Sequence, residues 1–167
     1  CSRYDALEPG APTFEERLGM VERLAGRCRR VVVRAQPYMT EVRDDLISNL
    51  ARMREAGAHG VTVEGMKFKR KKPGLVKVGG DWCYPEDVLR THYEAIRDEC
   101  RRVGLAFWCA ENRLRPMGDS MACCGCGDIP GFEGNRFNAV SLSCGEDVRP
   151  TAKMTEPGTA RCFKAIY

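Results

Sequence analysis

"RVVVRAQP" (30–37) is a run of β-branched residues closed by Pro37, and it reads as a buried strand. Upstream, Thr13 and Glu16 have the spacing of a capping box, which predicts a helix from Thr13 to about Arg27. Phe14, Leu18, Val21, Leu24 and Cys28 recur at helical spacing as its apolar face. Downstream, a second helix runs from about Glu41 to Glu55, with Val42, Leu46, Leu50 and Met53 inward and Gly57 just past its end. "HGVTVEG" (59–65) is a second strand. "MKFKRKKPGLVKVGGDWCY" (66–84) reads as a loop. Pro85 begins a third helix whose face is marked by Val88, Ile96 and Val103, and "GLAFWCAE" (104–111) is a third strand. Beyond Glu111 the patterning fades into a tail containing Gly, Cys and Pro.

Alternating helices and strands imply parallel strands joined by crossovers. Three such strands make half a barrel or part of an open sheet. The expectation is one α/β domain over 1–127 and a C-terminal extension over 128–167. At 167 residues, 43% hydrophobic and 30% charged, the chain has the composition of a globular domain, and no apolar run is long enough for a bilayer. The first residues lack an export signal, and a start at Cys1 suggests a fragment or a chain whose front part was removed. A net charge of +4 permits an anionic ligand without demanding one. The chain has 10 cysteines but lacks the short, turn-rich character of a secreted disulfide scaffold, so reduced thiols and a cytoplasmic location are expected.

Side chains alternate along a strand. Val32, Arg34 and Gln36 share one face of the first strand, Thr62 and Glu64 one face of the second, and Leu105, Phe107, Cys109 and Glu111 one face of the third. Each strand is apolar first and polar near its carboxyl end, where parallel α/β folds bind ligands. Two readings follow: a ligand site, or a structural ion pair between Arg34 and Glu64.

Cys123 and Cys126 have CxxC spacing, and Cys124 adds CxC, with Cys109 and Cys144 available to complete a set. Thiolates in such patterns hold zinc or iron–sulfur centres, whereas a tight turn of small buried thiols is the plain alternative. Lys67, Lys69, Arg70, Lys71, Lys72 and Lys77, with Phe68 among them, either track phosphates or form a solvated loop. His59 and His92 are isolated and read as structural. No Walker loop, GxGxxG or GxSxG occurs.

"SRYDALEPGAPTFEERLGMVERLAG" (2–26) resembles a segment of spore photoproduct lyase and related radical SAM proteins. "VVVRAQPYMTE" (31–41) is similar to that family's fourth barrel strand and "GVTVEGMKFKRKK" (60–72) to its fifth. "LAFWCAENRLRPMGDSMACCGCG" (105–127) resembles the end of its sixth with a Cys-rich extension. The resemblance implies a partial (β/α)6 TIM-type barrel, of which this chain is the C-terminal half. It also implies S-adenosylmethionine bound to a [4Fe–4S] cluster, giving a 5′-deoxyadenosyl radical. The CxxxCxxC that would hold that cluster is absent, since no two cysteines lie four apart, so its ligands are expected on a missing N-terminal half, on the same native chain or separate.

Carried over by position, Ser2 and Arg34 contact the methionine or ribose part of the cofactor, Glu64 lies near substrate or cofactor, and Glu111 and Asn112 sit beside the adenine. Cys109 or a cysteine of the 123–126 cluster is a candidate hydrogen-atom donor, and Glu64 is the other catalytic candidate. Cys123, Cys124 and Cys126 are candidate ligands of an auxiliary iron–sulfur cluster or zinc. The family analogy implies a nucleic-acid substrate. Two rival readings are a non-enzymatic zinc domain using Cys109, Cys123, Cys124, Cys126 and Cys144, and a nucleic-acid-binding module using the basic loop 67–77.

Overall fold

The computed structural model describes residues 7–127 and Ile129. The chain divides into two compact units, Cys1–Gly125 and Cys126–Tyr167. The first is a mixed α/β unit. In the second, Ile129 N–H donates to the Cys126 carbonyl at 3.1 Å. Ser2, Cys144 and nearly all of the expected extension lie outside the described residues.

Helix α1 spans Phe14–Ala25 and carries the complete capping box. Thr13 N–H donates to Glu16 Oε2 at 2.7 Å, and Glu16 N–H donates to Thr13 Oγ1 at 3.3 Å. The helix stops before Arg27. Leu24 and Cys28 are exposed, so its apolar face is shorter than the sequence suggests. No α1 residue is fully buried, and Phe14, Leu18 and Val21 pack against the core at its margin.

Strands β1 (Val32–Tyr38), β2 (Gly60–Gly65) and β6 (Ala106–Cys109) form a parallel sheet in the order β1-β2-β6. Their register sets up rows of partners: Arg34, Thr62 and Trp108 on one face, and Val33, Val61 and Phe107 on the other. Between β1 and β2 comes a 3-10 turn, Thr40–Val42, running into α2, Arg43–Glu55. Helix α3, Glu86–Val103, precedes β6.

The two helices cover the Val33–Val61–Phe107 face. Leu46, Leu50 and Met53 from α2 meet Leu89, Tyr93, Ile96 and Cys100 from α3 over Val61, Val63, Phe107 and Cys109. Spacings of three and four residues put these side chains on single helical stripes.

The structure corrects the sequence reading in three places. Strand β1 is buried only at Ala35 and Tyr38: it is an outer strand, and Arg34, Gln36 and Pro37 are exposed. Its ladder also slips between Ala35 and Tyr38, where Pro37 has no N–H to donate.

Residues 66–84 are not merely a loop. β3 (Lys67–Phe68), β4 (Val76–Val78) and β5 (Asp81–Cys83) form an antiparallel sheet with β5 central. Strands of two or three residues are too short for alternation to be legible, though the Pro73-Gly74 and Gly79-Gly80 turns that separate them are in the sequence. Beyond Glu111, a 3-10 helix spans Asn112–Met117 and buries Leu114 and Met117.

Trp108 lies across the face that the helices leave open. A Cβ on Gly60 would fall 2.3 Å from Trp108 Cζ3 and 2.5 Å from the Ala106 carbonyl oxygen. We predict that Gly60→Ala destabilises the fold by about 2 kcal/mol or more through this overpacking. Tyr93 provides the contrast, because its buried hydroxyl has no hydrogen-bond partner. Tyr93→Phe is expected to leave stability unchanged or raise it by about 1 kcal/mol. Urea unfolding of both variants checks the pair, and a tolerated Gly60→Ala would refute the packing of Trp108 described here.

Candidate functional site

The carboxyl ends of β1 and β2 present a chain of polar groups on the open face. Arg34 Nε donates to Gln36 Oε1 at 2.8 Å, and Arg34 Nη2 donates to the same oxygen. Gln36 Nε2 donates to Glu64 Oε2, and Lys67 Nζ donates to Glu64 Oε1. The sequence alternative of a direct Arg34–Glu64 ion pair is therefore not what forms. Gln36 stands between them, bonded to both, and the cation on Glu64 is Lys67. Burial works to lower the Lys67 ammonium, but the hydrogen bond and charge of Glu64, with Glu111 behind, hold it above its ordinary value.

Glu111 is buried and pairs with Arg113, Oε1 to Nε at 3.1 Å; Arg113 Nη2 also donates to the Tyr84 carbonyl at 3.2 Å. Gly65 makes room for this carboxylate: a Cβ there would lie 3.1 Å from Leu89 Cδ1 and 3.6 Å from Glu111 Oε2. Asn112 is exposed at the start of the 3-10 helix and accepts from Arg115 Nη2 at 2.5 Å.

Cys109 does not join Glu64. It falls on the other sheet face, fully buried among α3 and core residues, because strand parity places it with Val63 rather than Thr62. Its thiol points to the Glu111 carbonyl at 3.6 Å, and burial pushes it up to about 12. It is a closed thiol rather than a donor facing the polar chain.

Cys123 and Cys124 sit in a turn that lies on the open sheet face. Thr62 Oγ1 donates to the Cys123 carbonyl at 2.7 Å, and Arg30 Nη1 donates to the Gly125 carbonyl at 2.5 Å. Arg30 also stands 5.8 Å from the Trp108 ring centre. The Cys123 thiol is raised by its hydrogen bond to Cys124 and then by burial, with the Arg115 and Arg34 charges opposing. The described cysteines are free thiols, and among the described residues no three His, Cys, Asp or Glu side chains converge as a metal site. Cys126 begins the second unit.

His59 Nδ1 accepts from Val31 N–H at 3.2 Å, and His92 Nδ1 is 2.7 Å from Tyr38 Oη, so both histidines serve the scaffold. An apolar cavity of about 110 Å³ lies between α1 and β1, with Leu18, Val33, Ala35, Leu46 and Met53 in its wall. It is smaller than the few hundred Å³ a cofactor-sized ligand occupies. No helix among the described residues is long and apolar enough to cross a membrane.

Sequence reasoning located Arg34 and Glu64 but missed Lys67 as the partner of Glu64 and Arg113 as the partner of Glu111. The parity of Gln36 with Arg34 was visible; the 3-10 helix that carries Arg113 and Arg115 was not. The chain matches no protein-family model, no curated protein and no solved structure.

The buried thiols give a pH prediction. Cys100 and Cys109 are each pushed by burial from an ordinary value near 9.0 to about 12. The folded state thus binds their protons more tightly than the unfolded one. Their contribution is complete below about pH 9 and is lost as pH climbs toward about 12. The stability gap between wild type and Cys109→Ala is expected to narrow from about pH 8 to about pH 11 in urea titrations. A gap independent of pH would contradict the burial of this thiol.

Proposed function

We propose that the chain is the C-terminal half of a radical SAM barrel of the spore photoproduct lyase-like type, a partial (β/α)6 fold completed by an N-terminal half. The observation that carries this reading is the Arg34–Gln36–Glu64–Lys67 chain at the carboxyl ends of parallel strands, on the face opposite the helices. Its order of charges suits a zwitterionic amino acid: a guanidinium for the carboxylate, then a carboxylate for the ammonium. S-adenosylmethionine presents both groups. When bound to a [4Fe–4S] cluster on the other half, it supplies a radical. In this chain Arg34 orients the carboxylate, Gln36 holds Arg34 and Glu64 apart, and Glu64 accepts from the ammonium or a ribose hydroxyl. Glu111 and Asn112 follow the third parallel strand, where the resemblance puts the adenine. Lyase-type catalysis belongs to the completed protein. The auxiliary iron–sulfur or zinc assignment for Cys123, Cys124 and Cys126 has no comparable convergence behind it, and no step is drawn through it.

Isothermal titration of S-adenosylmethionine into the chain is expected to give weak, saturable binding. Arg34→Ala and Glu64→Ala should each weaken it about tenfold while the circular dichroism spectrum stays unchanged. No binding, or binding indifferent to both substitutions, would overturn the assignment.

The small sheet supports a second reading, a single-stranded nucleic-acid surface. Its register places Phe68, Trp82 and Lys77 in one row, and Tyr84 follows Trp82 by two residues. Lys72 Nζ lies 4.7 Å from the Phe68 ring centre and Lys71 Nζ 5.6 Å from that of Trp82. Rings flanked by exposed lysines are the elements of a base-stacking, phosphate-tracking face. Anisotropy with a labelled single-stranded oligonucleotide tests it. Affinity should fall with salt at a log–log slope of about −2, as for a few phosphates on a single strand, and Lys71→Glu/Lys72→Glu should flatten that slope. Salt-independent binding, or none, would remove this reading.

A further inference from the structure

Cys123 and Cys124 occupy the two central positions of a tight turn. Gly125 N–H donates to the Ala122 carbonyl at 3.2 Å and closes it, with Gly125 at φ +67. Both thiols are free and half-buried rather than sealed in the core, and they hydrogen-bond to each other.

The turn is held to the sheet at two carbonyls. Thr62, itself only 2% exposed, donates from Oγ1 to the Cys123 carbonyl at 2.7 Å, and Arg30 Nη1 donates to the Gly125 carbonyl at 2.5 Å. Gly125 lies against the Trp108 ring, where a Cβ would fall 2.5 Å from Cε3. The carbonyl that Thr62 holds belongs to the peptide unit joining Cys123 to Cys124. Successive Cα atoms are about 3.8 Å apart across a trans peptide, whereas a disulfide spans about 4.4–6.8 Å between its Cα atoms. A disulfide between chain neighbours therefore closes only if their peptide unit twists. That twist turns the Cys123 carbonyl away from Thr62.

We propose that Cys123 and Cys124 are a vicinal dithiol that a small-molecule disulfide oxidises reversibly, and that closing the ring releases the turn from Thr62 and from the Trp108 ring. One thiolate attacks the reagent's S–S bond, which forms a mixed disulfide and expels one reagent thiol. The neighbouring thiolate then attacks the protein sulfur of that mixed disulfide and expels the second reagent thiol. The protein gives up two electrons and two protons, and the reagent takes them up as two thiols. A ring closed against its preferred geometry is readily reduced, which suits a switch more than a permanent staple. The switch is independent of which ligand binds at the strand ends.

The full chain is equilibrated in glutathione buffers, with EDTA present so that no bound metal masks the thiols, then alkylated and digested. Mass spectrometry should find the peptide carrying Cys123 and Cys124 lighter by two hydrogens, and dithiothreitol should restore it. Cys126→Ser should still form the bond, whereas Cys123→Ser and Cys124→Ser should not. In a Trp82→Phe background Trp108 is the one remaining tryptophan, and oxidation should shift its emission. Thr62→Val removes the hydrogen bond that ring closure breaks. Its dithiol–disulfide equilibrium should lie about fivefold further toward the disulfide, the equivalent of one net hydrogen bond. Thr62→Ser keeps the hydroxyl and should match wild type. Arg30→Met removes the second clamp and should shift the equilibrium the same way, and it carries the comparison if Thr62→Val does not fold. No disulfide at any glutathione ratio, or a disulfide that needs Cys126, overturns the proposal. So does a disulfide that leaves Trp108 emission unchanged and is indifferent to loss of either clamp.

Discussion

The placement of the Trp108 ring governs the open side of the sheet. The ring reaches back over Gly60, where a Cβ would fall at 2.3 Å, and its other side is met by Gly125, where a Cβ would fall 2.5 Å from Cε3. Gly125 has φ +67, a conformation glycine adopts without cost, so both residues suit the contact sterically and the second also suits the turn. Arg30 closes the arrangement by donating to the Gly125 carbonyl while its guanidinium stands over the ring. A cation near an indole contributes about 1 kcal/mol. The larger effect is geometric: the turn carrying Cys123 and Cys124 is pinned to a sheet face that no helix covers.

That pinning explains why the polar groups collect at one end. The amino-terminal part of the face is filled by Trp108 lying over Gly60. Arg34 shares the row of Thr62 and Trp108, and Gln36 and Glu64 follow toward the carboxyl ends. On the helix side the same strands offer Val33, Val61, Val63, Phe107 and Cys109. Strand parity alone sorts the two sets, and the register makes the sorting agree across all three strands. Cys109 and Glu64 are therefore close in sequence logic yet face opposite sides of the sheet.

Much of this was legible from residues and some was not. The α3 face read as Val88, Ile96 and Val103 is in fact Leu89, Tyr93, Ile96 and Cys100, sharing only Ile96. The capping box at Thr13, the stripe on α2 and the three parallel strands follow from local patterning, which depends on nothing remote. The exposure of β1 does not, because a β-branched run looks the same in a central strand and an outer one. Only the strand order tells them apart. The small antiparallel sheet escaped because its strands are too short to show alternation and rich in lysine, which reads as loop. The site was half legible. Arg34 and Glu64 were singled out through their positions near strand ends, but their partners depend on Gln36 lying between them, and that of Glu111 on a 3-10 helix with Pro116 inside it. Neither has a periodic signature.

The cysteines show how composition misleads when it is not resolved by place. Their number and the CCGC spacing left two readings open, a metal centre or a tight turn of thiols. Cys100 and Cys109 are core residues whose thiols burial keeps protonated, Cys28 is exposed past the end of α1, and Cys83 is buried on the central strand of the small sheet. Among the described cysteines, Cys123 and Cys124 sit in one turn and hydrogen-bond to each other. What makes a buried thiol inert is its local burial, so the chemistry of each cysteine follows from its place in the fold rather than from its spacing in the chain.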